Sequence, residues 1–364
     1  MYKAWGHVIV VSMCCTNLYR LLFIAACISL SSCHEQELQV VYEGRFPEEI
    51  GYADLRIANF GHDYDCVIAV DFFSTNISIF YFQNNEWKLF ERIPHGLPDV
   101  EGVNRKIAVG DVIGSGEDEI LIYGDKEVVI KQWTGKVFSS VEYSFPYYIY
   151  EAVIGDIDDD SMNEMVALVS DSSFSLYDSL YAVRPCVTSL ASGEIKIEWL
   201  SGDEYTHRFT TSVPLRMGSI ADFARTESNQ LLLHQWRLGL RPTEYELWEW
   251  DDINEMLRKI DVQFPPVIAG VKQEEEQNLF IGDIFSAFLD NREYFIARFV
   301  FNWHEGNAPV ILQKRKNDMY VIIAKFDKID KLYAVNLDGK GNGLLVQGTG
   351  KYYQYTRYRF LRFP

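Results

Sequence analysis

Residues 107–124 read IAVGDVIGSGEDEILIYG, and residues 152–170 read AVIGDIDDDSMNEMVALVS. Each opens on an apolar run that ends in Gly-Asp. A polar loop follows, and a second apolar run starts about eight or nine residues after the Asp. Weaker copies begin at residue 57 (IANFGHDYDCVIAV), 219 (SIADFARTESNQLLL), 280 (FIGDIFSAFLDNREYFIARF) and 333 (YAVNLDGKGNGLLVQG). The loops open on Asn59, Asp111, Asp156, Asp222, Asp283 and Asn336, at spacings of 45 to 66 residues. A unit recurring at that period is one supersecondary element stacked on copies of itself, as in propellers and solenoids.

Between the loops the chain reads as short strands. EILIYG, KEVVIKQW and KVFSSVEYSF are three in a row, with a turn at Thr134-Gly135, and IFYFQNNEWKLF is a hairpin turning at Asn84-Asn85. GLLVQGTGKYYQYTRYRFLRF repeats the arrangement at the end of the chain. Aromatic residues make up 15% of the chain, which favours strands. Four short strands per unit form a propeller blade. The expectation is an all-β propeller of about six four-stranded blades, with seven as the alternative left by the wide gaps before Asp222 and Asp283. QVVYEGRF, residues 39–46, is expected to close the ring by pairing with the C-terminal blade. One short helix is expected at 250–259, after an Asp cap. Glu274-Glu275-Glu276 reads as a solvated loop.

The loop-plus-strand units resemble FG-GAP/VCBS repeats, which build the β-propellers of integrin α chains and of many bacterial surface proteins. The resemblance runs from about residue 57 to the C-terminus. It implies loops of the form Asp-x-Asp-x-Asp-Gly-x-x-Asp that hold Ca²⁺, a cation that takes six to eight oxygen ligands. One loop keeps that pattern here: Asp156, Asp158, Asp160 and Glu164 at positions one, three, five and nine, with the carbonyl of Met162 at position seven. Ser161 replaces the usual Gly, and Glu164 the usual final Asp. Strands flank the loop and its twelfth position is Ala167, so it is no EF-hand. The other loops are eroded. The second offers only Asp111, Ser115 and Glu119. In the last, Asn336 and Asp338 precede Lys340, whose charge opposes a metal. Asp222 and Asp283 stand without acidic partners at the next two ligand positions, and in all these eroded copies the first Asp or Asn is expected to cap the turn through backbone N–H groups. Any Ca²⁺ is expected to be structural.

The first 32 residues are set apart. Residues 21–30, LLFIAACISL, form an apolar run too short to span a bilayer comfortably, preceded by Arg20 and followed by small residues, as in a secretory signal peptide. The run ends in Leu30-Ser31-Ser32-Cys33, which resembles the bacterial lipobox. The resemblance implies cleavage before Cys33, which becomes residue one, and lipidation of that Cys, palmitate included. Met13 is an alternative start to Met1, and an uncleaved membrane anchor is the alternative to cleavage. The expected domains are a signal peptide at 1–32, a lipidated tether at 33–45 and the propeller at 46–364, in the bacterial envelope. His34 after Cys33, where an Asp often marks inner-membrane retention, points to the outer membrane, with the propeller periplasmic or surface-exposed.

Of six Cys, only Cys66 and Cys186 fall in the folded part, and they are expected as buried free thiols. Of the bases, Lys3 and Arg20 leave with the signal, so 32 basic residues face 52 acidic ones. Phosphate backbones repel such a chain, which argues against nucleic acid and is compatible with cations or neutral glycans. The chain has no GxSxG, HExxH or P-loop. His62, His95, His207, His234 and His304 are scattered beyond ligand spacing. Trp133, Trp199, Trp236, Trp248, Trp250 and Trp303 could stack on sugars or anchor a partner, against the simpler reading that they pack between blades. The expectation is a monomeric, non-enzymatic binding or scaffold module for a protein or glycan, membrane-tethered through Cys33. Two rivals stand beside it: a carbohydrate-active hydrolase or lyase using channel acids, and an envelope assembly factor.

Overall fold

Strand follows strand from Gln39 to Arg362, and the order in which they pair sets the architecture. The computed structural model describes residues 38–47, 54–70, 76–97, 106–172, 181–190, 193–202, 207–209, 215–221, 223, 228–235, 244–261, 268–269, 279–289, 292–301, 307–314, 320–326, 331–348 and 357–363. Residues Val40–Arg362 form one compact unit, and the other, Met1–Gln39 with Phe363–Pro364, lies almost wholly outside the described residues.

After β1 (Gln39–Arg45), four strands make the first sheet: β2 (Asp54–Ala58), β3 (Cys66–Val70), β4 (Asn76–Gln83) and β5 (Glu86–Pro94). The second sheet is β6 (Lys106–Gly110), β7 (Glu119–Gly124), β8 (Glu127–Trp133) and β9 (Phe138–Ser144). The third is β10 (Tyr148–Gly155), β11 (Glu164–Ser170), β12 (Tyr181–Ser189) and β13 (Lys196–Leu200), with β14 (His207–Phe209) paired to β12. The fourth is β15 (Leu215–Ala221), β16 (Gln230–Gln235), β17 (Glu244–Asp251) and β18 (Met256–Ile260). The fifth contains β19 (Ile268–Ala269), β20 (Leu279–Leu289), β21 (Arg292–Phe301), β22 (Asn307–Lys314) and β23 (Tyr320–Lys325), with β19 parallel to β23. The last sheet joins β24 (Lys331–Val335), β25 (Gly343–Gln347) and β26 (Arg357–Arg362) to β1, in the order β1-β26-β25-β24.

The first strands meet side by side: β2 with β6, β6 with β10, β10 with β15, β15 with β20, β20 with β24, and β24 with β2. That closure makes the protein an all-β propeller, most of whose sheets have four antiparallel strands. The two wide gaps are filled by the extra strands β14 and β19. β1 adds to the C-terminal sheet as expected, so the sheet takes in Gln39–Arg45, ahead of the boundary expected at residue 46.

Burial follows strand position. Every residue of β7 (EILIYG) and β11 (EMVALVS) is buried. A second strand has sheet neighbours on both sides and packed sheets on both faces, so its sequence reads as an unbroken apolar run. The fourth strand β9 (FSSVEYS) lies at the rim and is largely exposed. The core sits between sheets. Ile68 and Ile79 pack with Ile107 and Ile120, Leu121 and Ile130 with Met165 and Val169, Val166 and Leu168 with Leu231 and Trp248, and Leu55 and Phe80 with Val335 and Phe360. Each such aliphatic side chain contributes about 1.5–3 kcal/mol on burial. The small residue before each loop has a steric cause. A Cβ on Gly110 would lie 2.6 Å from Cγ2 of Ile154, and one on Gly155 would lie 3.0 Å from Cβ of Ile220, because neighbouring first strands approach closely there.

Three expectations need correction. The segment at 250–259 is a hairpin between β17 and β18. Its Asp cap is real, since Asp251 accepts N–H bonds from Ile253 at 3.1 Å and Asn254 at 3.3 Å, but Glu255 at φ 50° turns the chain into a strand. Asp283 lies inside β20, beside a register shift between Ile281 and Ile284, and opens no loop. The strand before each repeat loop reads, as in YYIYEAVIGD, as the last of its unit, but the loop joins the first and second strands of one sheet, so that segment starts the third sheet. The Asn84-Asn85 hairpin holds, with both residues at positive φ (54° and 63°), as a two-residue I′ turn requires.

Candidate metal centre

β10 ends at Gly155 and β11 starts at Glu164, so loop 156–163 carries four acids away from the sheet and Glu164 back into it. The carboxylates shape the loop. Asp156 Oδ2 accepts the N–H of Ser161 at 3.1 Å, Asp158 Oδ1 that of Asp160 at 3.3 Å, and Asp160 Oδ1 that of Met162 at 2.7 Å. Ser161, at the place of the usual Gly, adopts φ 73°, and Asp159 adopts φ 61°. Glu164 is buried and accepts the N–H of Ile157 at 2.9 Å.

One oxygen each from Asp156, Asp158 and Glu164 lie within 4.8 Å of one another. Asp160 stands outside this trio, tied to the Met162 N–H, and the side chain of Met162 is exposed. Oδ1 of Asp156 is buried and has no hydrogen-bond partner. Burial, then the charges of Asp158, Asp160 and Asp156, push the Glu164 carboxyl up to about 8, and burial raises Asp158 as well. Crowded, desolvated carboxylates with an unpartnered oxygen fit a hard divalent cation, which would supply the missing positive charge.

The sibling loops satisfy the same positions with protein groups. In the second sheet, Asp111 accepts N–H bonds from Ser115 (2.8 Å) and Gly116 (2.7 Å), and the Ser115 hydroxyl lies 3.2 Å from Glu119 Oε1. The other oxygen of Glu119 accepts the N–H groups of Val112 (3.0 Å) and Ile113 (3.3 Å). In the first sheet, the Asn59 amide donates to Asp65 at 3.0 Å and to the His62 carbonyl at 3.0 Å. In the last sheet, Asn336 accepts the N–H of Gly341 at 3.2 Å and Asp338 that of Lys340 at 3.2 Å. The cation facing Asp338 is not Lys340, as expected, but Arg362, which also donates to the Gly341 carbonyl at 2.7 Å. Burial alone would raise the Asp338 carboxyl, but hydrogen bonds from Arg362 and Tyr42, with the Arg362 charge, hold it below its ordinary value.

Sequence reading missed a latch between sheets. Asp65 accepts the N–H of Asn336 at 2.7 Å, and Asp118 accepts that of Asn59 at 2.7 Å. Asn163 donates to the Asp111 carbonyl at 2.9 Å, and Asn229 to the Asp156 carbonyl at 2.8 Å. In each case the residue just before a second strand grips the opening residue of the preceding sheet's loop. The signal was present: Asp65, Asp118, Asn163, Asn229, Asn291 and Asn342 all precede the first residue of a second strand.

Cys66 and Cys186 are buried free thiols, and burial pushes each up to about 12. Trp248 is buried, Trp133 packs on Phe90 at 4.9 Å, and Trp199 and Trp250 lie against the core between the third and fourth sheets. Packing between sheets therefore accounts for the four described Trp of the proposed binding set. Cys33, Asp222, Trp236, His304 and Trp303 lie outside the described residues.

No family model matches the chain, and no curated protein matches it. Among solved structures, it is similar to a member of the DUF4221 family from Bacteroides vulgatus, with a TM-score of 0.49, 13% identity, and coverage of 90% of this chain and 98% of that one. It is also similar to an α-L-arabinanase from Penicillium chrysogenum (TM-score 0.48, 9% identity, 89% and 98% covered) and to the Dos1 propeller (TM-score 0.46, 9% identity, 86% and 78% covered). The assignment as a propeller rests on the sheets and their closure.

Proposed function

We propose that this chain is an exported, lipid-anchored propeller of six blades that binds a protein or glycan partner, with loop 156–164 holding a structural Ca²⁺. The observation that carries the metal assignment is the contrast among sibling loops. A hydroxyl (Ser115), an amide (Asn59) and a guanidinium (Arg362) satisfy three of them, whereas the trio Asp156, Asp158 and Glu164 has no such group among the described residues and leaves Asp156 Oδ1 bare. An ion there would neutralise the crowded charge and fix the loop beside the third sheet. The loop supports kinship with FG-GAP/VCBS repeats, and Leu30-Ser31-Ser32-Cys33 supports the anchor.

Binding is favoured over hydrolysis by where the loop acids point. Glu119 and Glu164 hold backbone N–H groups of their own loops, which is a structural task. Thermal unfolding with Ca²⁺ and with chelator, on wild type and Asp158→Ala, tests the metal. A native-state ligand raises the midpoint by mass action, so a Ca²⁺-dependent rise lost in the variant is expected, and no shift in wild type removes the ion. Labelled palmitate entering wild type but not Cys33→Ala tests the anchor. Turnover of a polysaccharide that is lost on changing a single acid would overturn the non-enzymatic reading.

A further inference from the structure

A cavity of about 450 Å³ opens between the second and third sheets, beside loop 156–163. Its apolar lining comes from Val112, Ile113, Ile130, Val141, Met162 and Leu190. Val112, Ile130 and Leu190 are buried members of the core between these sheets, so the floor is rigid. The rim is different: Ile113 is 37% exposed, Met162 45% and Val141 48%. These are three of the eight large apolar side chains exposed among the described residues, gathered at one groove. Isolated exposed apolar residues are ordinary, but a gathered set around a concavity marks an interaction site.

The polar part of the lining has one sign. Asp160, Glu164 and Glu198 contribute carboxylates, and no Lys, Arg or His lines the cavity among the described residues. The nearest ion-pair partner is Lys196, 4.0 Å from Glu198, and its side chain is 72% exposed. With Ca²⁺ on Asp156, Asp158 and Glu164, the acids Asp160 and Glu198 remain. The chain also shows how a loop of this kind receives a guanidinium, since Arg362 sits on Asp338 and the Gly341 carbonyl. Among the described residues the walls are aliphatic with Tyr143 as the single ring, which suits a branched side chain better than the face of a sugar.

We infer that this groove docks a partner polypeptide through an aliphatic side chain flanked by Lys or Arg. The aliphatic group enters between Val141 and Met162, and the cation meets Asp160 and Glu198. The inference rests on the binding-module reading and narrows its partner to a basic-apolar protein segment.

The test is selection of random heptapeptides displayed on phage against the immobilised full chain in Ca²⁺, with Val141→Lys in parallel. Val137→Lys, at a 61% exposed residue outside the groove, is the surface control. The expected pool is rich in Lys or Arg beside Leu, Ile, Val or Met, is lost on Val141→Lys and is kept on Val137→Lys. A synthetic peptide from that pool should bind about tenfold more weakly to Glu198→Gln and lose affinity with added salt. An acidic pool, no enrichment over Val141→Lys, or binding indifferent to that change overturns the groove. Peptides that bind elsewhere leave the binding module standing. Binding of an oligosaccharide panel with no peptide selected leaves a glycan reader in its place.

Discussion

The carboxylate of Asp118 accepts the main-chain N–H of Asn59 at 2.7 Å, and so joins the second sheet to the loop of the first. A second bond runs back from the Asp118 N–H to the Asn59 carbonyl at 2.8 Å. Burial raises the Asp118 carboxyl, and the Asn59 bond opposes that. Asp118→Ala leaves the Asn59 N–H unpaired and is expected to cost about 1–3 kcal/mol. Asp118→Asn keeps an accepting oxygen and should cost clearly less. Urea midpoints of the two variants check the difference, and equal losses would mean that the bond itself contributes little.

Glu119 carries a pH dependence whose sign can be worked out. Burial, opposed by N–H bonds from Val112 and Ile113 and reinforced by the Asp111 charge, pushes its carboxyl from 4.5 up to about 7. Between those values the folded chain keeps a proton that the unfolded chain has released. The contribution is therefore complete below pH 4.5 and is lost as pH rises through about 7. It is on the order of 3 kcal/mol across that window. Glu119→Gln, which can still accept from the Val112 N–H, should flatten this part of a plot of unfolding free energy against pH. An unchanged slope would show that Glu119 is ionised throughout.

Much of this was legible in the sequence because two constraints act locally. Second strands such as EILIYG and EMVALVS are buried on both faces and must be apolar at every position, and the I′ turn at Asn84-Asn85 admits few residue types. The trio at 156–164 was legible too, since its acids are near in sequence. What escaped depends on residues far apart in the sequence. Arg362 reaches Asp338 across 24 residues, and Asp65 reaches Asn336 across 271, so no local pattern marks either pairing. Asp160, placed by spacing among the ligands, lies outside the trio and accepts the Met162 N–H through one of its two oxygens. Asp251 signalled a cap correctly, yet a cap serves a turn as well as a helix, and the apolar positions of the following strand are not periodic enough to decide between them.

Gly110 tests the close approach of first strands. A Cβ there would meet Cγ2 of Ile154 at 2.6 Å, nearer than side chains pack. Gly110→Ala is expected to cost about 1–3 kcal/mol through overpacking. Ile154→Ala removes the obstructing methyl, so the double variant should be more stable than the sum of the single losses predicts. A double-mutant cycle by urea unfolding measures this coupling, and simple additivity would place the strain elsewhere.

Arg362 is the residue whose removal should reveal what its loop needs. It pairs with Asp338, which also accepts the Tyr42 hydroxyl of β1 at 2.9 Å, so the guanidinium helps hold the first strand to the last sheet. The Asp338 side chain is only 11% exposed. Arg362→Ala leaves that carboxylate largely desolvated with only the Tyr42 hydroxyl and the Lys340 N–H as donors, and a loss of about 3 kcal/mol is expected, as for other broken buried pairs. The sign with acid follows from the lowered Asp338 carboxyl: wild type gains stability from it above its ordinary pKa of 3.8 and loses that as pH falls further. Arg362→Ala should lose this acid sensitivity. Arg362→Lys keeps a charge but not the two-pronged geometry, and should recover part of the loss. Hydrogen exchange read at β1 supplies the local check. Faster exchange there in Arg362→Ala is expected if the Tyr42–Asp338–Arg362 chain closes the ring, whereas unchanged exchange with lower global stability would confine the role of Arg362 to its own loop.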